Sequence, residues 1–186
     1  MLRLKQLYEE KVKVKLISEG YKNNMAVPKI SKVVVNVGIG KTRVNSAAVE
    51  QIKKNLAAIT GQKPAIRKSR KAISGFKVRT GDEVGLMVTL RGDRMYDFLE
   101  KLINITLPRI RDFRGLNPKS FDGNGNFTLG MTENIYFPEV SQVTENIHGL
   151  EITVVTTAKN KDEGLKLLKE LGFPFKGSNN PEEKNG

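Results

Sequence analysis

An α+β fold is the expectation for this 186-residue chain: a mainly antiparallel sheet, helices packed on one face, and a long basic loop. Three features support it. β-branched runs interleave with helically spaced apolar segments, but without the strict strand–helix–strand rhythm of a parallel sheet. The strand segments carry Gly, Thr and Asn among their apolar residues, which suits a sheet with one covered and one open face. Finally, residues 62–79 (QKPAIRKSRKAISGFKVR) hold seven basic residues, Lys63, Arg67, Lys68, Arg70, Lys71, Lys77 and Arg79, and no acidic one.

The elements follow in order. Leu4, Tyr8, Val12 and Leu16 recur every four residues and predict an amphipathic helix over 3–18, ended by Gly20. The β-branched run 29–37 (KISKVVVNV) predicts a strand closed by Gly38 and Gly40. Ser46 is the expected N-cap of a second helix, with Glu50 near its positive end. Val49, Ile52, Leu56 and Ile59 form its buried stripe, and Gly61 fits its C′ position. Strands are expected at 64–70 and, more clearly, at 84–91 (VGLMVTLR), leaving 71–83 as a long mobile loop between them. Asp93 is the expected cap of a third helix ending at Leu107, with Tyr96, Leu99 and Ile103 on one face and Pro108 as its limit. Residues 109–126 read as an irregular excursion. Strands follow at 127–131 and 150–157 (LEITVVTT), then a last helix over 161–171 with Leu165, Leu168 and Leu171 inward. The expected organisation is one domain over 1–176, with 71–83 protruding, and a disordered tail over 177–186.

Composition narrows the function. A net charge of +12 and a pI near 9.9 meet the usual criterion for a nucleic-acid footprint. A charged face that merely meets solvent mixes both signs. The single-sign run at 62–79 attracts a polyanion, and counterion release then drives binding. Phe76 within it can stack on an unpaired base or serve as a buried plug anchoring the loop. A membrane surface is the competing polyanion, but no apolar run approaches the roughly 20 residues that span a bilayer. The opening MLRLKQLYEEK has acids and no apolar core, so no secretory or transit peptide is expected. The chain has no cysteine, which excludes disulfides and Cys-based zinc sites and suits a reducing cytosol.

Several motifs invite stronger readings. Gly38-Ile39-Gly40-Lys41-Thr42 resembles a phosphate-binding loop, but Val35 stands where that motif requires glycine. The plainer reading is a glycine turn exposing Lys41 and Arg43. Asp122, Asn124, Asn126 and Glu133 match positions 1, 3, 5 and 12 of a calcium loop, but Phe127 replaces the glycine needed at position 6, so a polar turn is expected. His148 is the only histidine and is expected at the surface or in a turn. Arg109, Arg111 and Arg114 form a second basic cluster, either a helix-end salt-bridge group or an RNA contact. Asn36 and Thr89 lie in apolar strands, at bends or on a solvent face, where an open sheet would let them read RNA. No cofactor or metal is expected, and no carboxylate pair has acid–base spacing.

Together these segments resemble a known family. GQKP (61–64), RKSRKAISGFKVR (67–79), VTLRGDRM (88–95), PRIRDFRGL (108–116), KSFDGNGNF (119–127), ITVVTTAK (152–159) and FPF (173–175) occur in order. They closely resemble the bacterial large-ribosomal-subunit protein five family, which binds 5S ribosomal RNA, and the likeness covers about residues 2–176. It implies an α+β sandwich and a non-enzymatic role in the cytoplasmic ribosome, seating 5S RNA in the central protuberance. It also implies 5S contacts from Asn36, Gln62, Phe76 and Thr89, with Lys63, Arg67, Arg70, Lys71 and Arg91 holding phosphates. The loop residues Ser74, Gly75, Lys77, Arg79 and Thr80 would reach the peptidyl-site transfer RNA. Further implied partners are 23S ribosomal RNA, neighbouring central-protuberance proteins and small-subunit head protein thirteen, with no membrane. The chain departs from the family in its tail beyond Lys176 and in Asp82 and Glu83, which dilute the charge at the loop base. A general RNA chaperone and a phosphate-processing enzyme are the competing classes: the first would not prefer one RNA, and the second would turn over nucleotide or need metal.

Overall fold

The computed structural model describes residues 3–18, 21, 23–40, 42, 45–140 and 147–176. Gly20, Lys41, Arg43 and the tail 177–186, each assigned a part from sequence, lie outside the described residues. Helix α1 (Arg3–Leu7) passes through a π-helical turn (Tyr8–Val12) into α2 (Lys13–Ser18). The sequence explains that turn. A regular helix repeats every 3.6 residues, so a strict four-residue spacing drifts about 120° between Leu4 and Leu16. A wider turn, closed by the Lys13 N–H donating to Tyr8 O, takes up the drift. Leu4, Tyr8, Val12 and Leu16 are consequently all buried.

Five strands, β1 (Ile30–Gly38), β2 (Ala65–Lys68), β3 (Glu83–Leu90), β4 (Phe127–Met131) and β5 (Leu150–Thr156), form one sheet in the order β2-β3-β1-β5-β4. Every pairing is antiparallel. Alternation then sorts the side chains. Val33, Val35 and Val37 of β1, Leu86, Val88 and Leu90 of β3, and Leu150, Ile152 and Val154 of β5 are buried together. They share the core with the stripe Val49, Ile52, Leu56 and Ile59 of α3 (Ser46–Thr60), and with Met95, Phe98 and Leu99 of α4 (Gly92–Lys101). Each such residue contributes about 1.5–3 kcal/mol by leaving water. With the helices on one face, the other face of the sheet stays uncovered.

The helix ends differ from expectation in detail. Asn45, not Ser46, caps α3: its Oδ1 accepts from the Ala48 N–H at 3.2 Å. Gly61 closes the helix at φ 64°, a left-handed conformation that suits glycine. Arg91 occupies the N-cap position of α4, so Asp93 falls in the first turn and its carboxylate meets Lys5 of α1 at 2.8 Å. Helix α4 runs on through a second π turn (Leu102–Thr106) and a 3-10 turn (Leu107–Arg109), the latter holding Pro108 near its start.

Residues 109–126 do run irregularly, with one 3-10 turn at Pro118–Ser120, but they are pinned. The Leu116 N–H donates to Pro174 O at 2.7 Å, and the Lys176 N–H to Leu116 O at 2.9 Å. Phe121, Phe127, Phe173 and Phe175 cluster behind this clamp, with Phe121 and Phe127 centroids 4.9 Å apart. Helix α5 (Lys161–Glu170) is capped by Asn160, whose Oδ1 accepts from the Glu163 N–H at 2.9 Å. His148 is buried, not at the surface. Its N–H donates to Oδ1 of the fully buried Asn134 at 3.3 Å, which draws that segment inward.

Candidate nucleic-acid interface

The uncovered face of the sheet is built from the residues that alternate with the core. Cross-strand register lays them out in rows. Thr89, Val34, Thr153 and Thr128 share one row across β3, β1, β5 and β4. Ala65, Met87, Asn36, Glu151 and Gly130 share the next, now including β2. Arg67, Gly85 and Gly38 make a third. Two polar pairs in these rows are hydrogen-bonded: Asn36 Nδ2 donates to Glu151 Oε2 at 3.3 Å, and the Thr128 and Thr153 hydroxyls lie 3.2 Å apart. Gly85 is tightly placed, since a Cβ there would come within 3.2 Å of Val37 O and 3.9 Å of Asn36 Oδ1.

Gln62 follows the Gly61 cap of α3 and meets the edge of β3, its Nε2 lying 3.5 Å from the main-chain O of Thr89, a long and weak contact. The fold thus brings Asn36, Thr89 and Arg67 to one face of the sheet, with Gln62 at the adjoining edge of β3. An amide offers a donor and an acceptor together, so it can match a base edge or a 2′-hydroxyl.

The basic segment borders this face. β2 is an edge strand and all four of its residues are exposed. Lys63, Arg67, Lys68, Arg70, Lys71, Lys77, Arg79 and Arg91 are all exposed. No described carboxylate lies within 4.0 Å of Lys63, Arg67, Lys68, Arg70, Lys71, Arg79 or Arg91. Their charge therefore faces solvent, where it attracts phosphate.

The connection from β2 to β3 is hydrogen-bonded at its base and at its tip. At the base the Ser69 N–H donates to Asp82 O at 2.8 Å and the Gly81 N–H to Ser69 O at 2.9 Å. At the tip Ile73 and Val78 form a bridge around a 3-10 turn, Ser74–Phe76, that ends on left-handed Lys77 at φ 50°. Asp82, whose charge counts against phosphate binding, has a local task here: its Oδ2 accepts from the Arg79 N–H at 2.9 Å. Gly75 and Thr80 are exposed along the same connection. Phe76 is 75% exposed, which rules out the buried plug. It lies beyond the Lys68–Glu83 end of the hairpin, whereas Thr89 is six residues farther along β3. Phe76 and Thr89 are thus at opposite ends of that hairpin.

The competing motifs have structural explanations. Ile39, between the two glycines after β1, is buried and its N–H donates to Val84 O at 3.0 Å, so this turn extends the sheet. The Asp122 carboxylate accepts from the backbone N–H groups of Asn124 and Asn126 and from Asn126 Nδ2, at 2.7–2.9 Å. The Asn126 side chain first, then these backbone bonds, hold the Asp122 pKa below its ordinary value. Its oxygens thus serve the turn. No group of three or more His, Cys, Asp or Glu able to hold a metal occurs among the described residues. Arg109, Arg111 and Arg114 are exposed with no described carboxylate in ion-pair range, which removes the salt-bridge account of that cluster. No described helix is long and apolar enough to cross a membrane.

Sequence reasoning did not single out Glu151, Thr153, Thr128 or Gly130. The alternation in LEITVVT was the available signal, because it places Glu151 and Thr153 opposite the buried Leu150, Ile152 and Val154.

Known proteins place the chain in a family. A family profile described as "Ribosomal protein L5" matches residues 23–79. A second profile, describing the C-terminus of the same ribosomal family, matches residues 83–175. Among curated relatives, the large ribosomal subunit protein uL5 of Prochlorococcus marinus (strain MIT 9515) is 54% identical over 176 residues, covering 94% of this chain and 99% of its own. The proteins of the same name from Synechocystis sp. and Anaeromyxobacter sp. (strain Fw109-5) are 53% and 51% identical, each covering 94% of this chain and 98% of their own. Matched by these profiles over 23–79 and 83–175 and by these relatives over 94% of its length, the chain belongs to the ribosomal protein L5 family.

Proposed function

We infer that this chain is a structural, non-enzymatic constituent of the large subunit of the cytoplasmic ribosome, and we propose that it binds 5S ribosomal RNA in the central protuberance. The observation that carries the reading is the open sheet face that groups Asn36 and Thr89, with Gln62 at its β3 edge, beside exposed cations without carboxylate partners. Phosphates would be held by Lys63, Arg67, Arg70, Lys71 and Arg91, while the amides, Thr89 and Phe76 select a folded RNA surface. Ser74, Gly75, Lys77, Arg79 and Thr80, on the connection beyond β2, contact the peptidyl-site transfer RNA. 23S ribosomal RNA, neighbouring central-protuberance proteins and small-subunit head protein thirteen complete the set of partners.

The test is a titration against 5S ribosomal RNA and a length-matched unrelated RNA at several salt concentrations. Preference for 5S RNA that persists as salt rises is the expected result, because base and 2′-hydroxyl contacts outlast screened phosphate attraction. Equal affinities that fall together with salt would reduce the chain to a general polyanion binder and overturn the 5S assignment.

A further inference from the structure

Glu151 is a carboxylate in the middle of a face that otherwise suits a polyanion. The fold does not require it: the side chain is exposed and pairs only with Asn36 Nδ2, at 3.3 Å. Its other oxygen has no hydrogen-bond partner among the described residues. A carboxylate accepts and never donates when ionised. The contact therefore fixes the Asn36 amide with Nδ2 toward β5 and leaves Oδ1 on the side of Gly85. On the other side of Glu151 in the same row stands Gly130. A Cβ there would meet nothing within 4 Å, so the fold has room for a side chain where the sequence supplies none. A strand glycine with open space above it leaves room for close approach by another molecule.

Building on the 5S reading, we propose that Glu151 is a specificity-determining residue, which accepts a hydrogen bond from an amino group or 2′-hydroxyl of the RNA in the notch left by Gly130. It repels phosphate, so it discourages RNA bound by charge alone. It favours an RNA whose folded surface presents a donor at that point. It also sets which end of the Asn36 amide the RNA meets.

The experiment compares the full chain with its Glu151→Gln and Glu151→Ala variants against 5S RNA and a length-matched unrelated RNA at two salt concentrations, with thermal melting of each protein. The expected outcome is 5S affinity reduced about tenfold, in the range of one lost base-edge contact, with unrelated RNA bound as well or more tightly. The salt slope for 5S RNA stays the same, because no phosphate contact is removed. Gly130→Val, which fills the notch without changing charge, also weakens 5S binding selectively. Tightening of both RNAs on loss of Glu151 would mean charge repulsion alone and overturn the proposal. So would unchanged affinities, or equal losses with a lowered melting temperature, which would make the residue a staple between strands. A wild-type chain with no preference for 5S RNA would instead overturn the parent reading, and a selector with it.

Discussion

Phe76 carries the aromatic surface of the basic connection, with Ile73 beside it at 48% exposure and Ile66 in the preceding strand at 40%. Exposed apolar groups between exposed cations form a surface that meets both parts of a nucleotide. On the proposed reading the cations would hold the phosphate and the ring would offer a face for a base. Phe76→Ala is expected to weaken RNA binding by about 1–3 kcal/mol, the usual cost of a lost stacking partner. Its melting temperature should match that of the wild type, since the ring is already in solvent. A lowered melting temperature with unchanged binding would return Phe76 to a structural role.

Helix α5 packs tightly against the 122–126 turn. A Cβ on Gly164 would sit 2.3 Å from Gly125 O, and one on Gly125 would sit 2.6 Å from Asn160 O. Backbone packs directly on backbone there, and the Thr156 hydroxyl donates to Gly125 O at 2.9 Å from the sheet. Gly164→Ala is expected to destabilise the fold by about 1–3 kcal/mol, as overpacking does, read as a lower urea midpoint with an unchanged slope. The sequence did not reveal this contact, because a glycine inside α5 carries no pattern that names its neighbour. The strands were legible, since β-branched runs and period-two burial both follow from one pleated geometry. The helix 3–18 was legible as well, but its π turn lay hidden in the difference between a spacing of four and a repeat of 3.6. Cap identities slipped by one or two residues at Asn45 and Arg91, where several polar residues compete for one position. At the candidate site, charge and single polar residues in strands pointed to the open face of the sheet, where register places Asn36 and Thr89. Glu151 escaped notice because an acid in a basic protein reads as an ordinary solvated charge until register places it beside Asn36.

Across the whole molecule, the polar open face and the exposed basic connection are two regions joined by the β2–β3 hairpin, and the proposed function gives each its own RNA. Lys77→Ala and Arg79→Ala are expected to weaken transfer RNA contact in reconstituted ribosomes more than 5S binding by the free chain. Equal losses in both assays would remove that division. The strand order has a consequence for synthesis as well. β1 lies at the centre of the sheet, yet one of its neighbours, β5, begins only at Leu150. β3, with β2 on its outer edge, leaves the synthesising ribosome early and can cover one side of β1, while the other side waits for more than half the chain to follow. During that interval a valine-rich strand presents an open row of amides and carbonyls, the kind of edge that recruits other chains. Translation halted before β5 is therefore expected to release a fragment prone to self-association, in which β1 and β3 are present without the strand that would close the sheet.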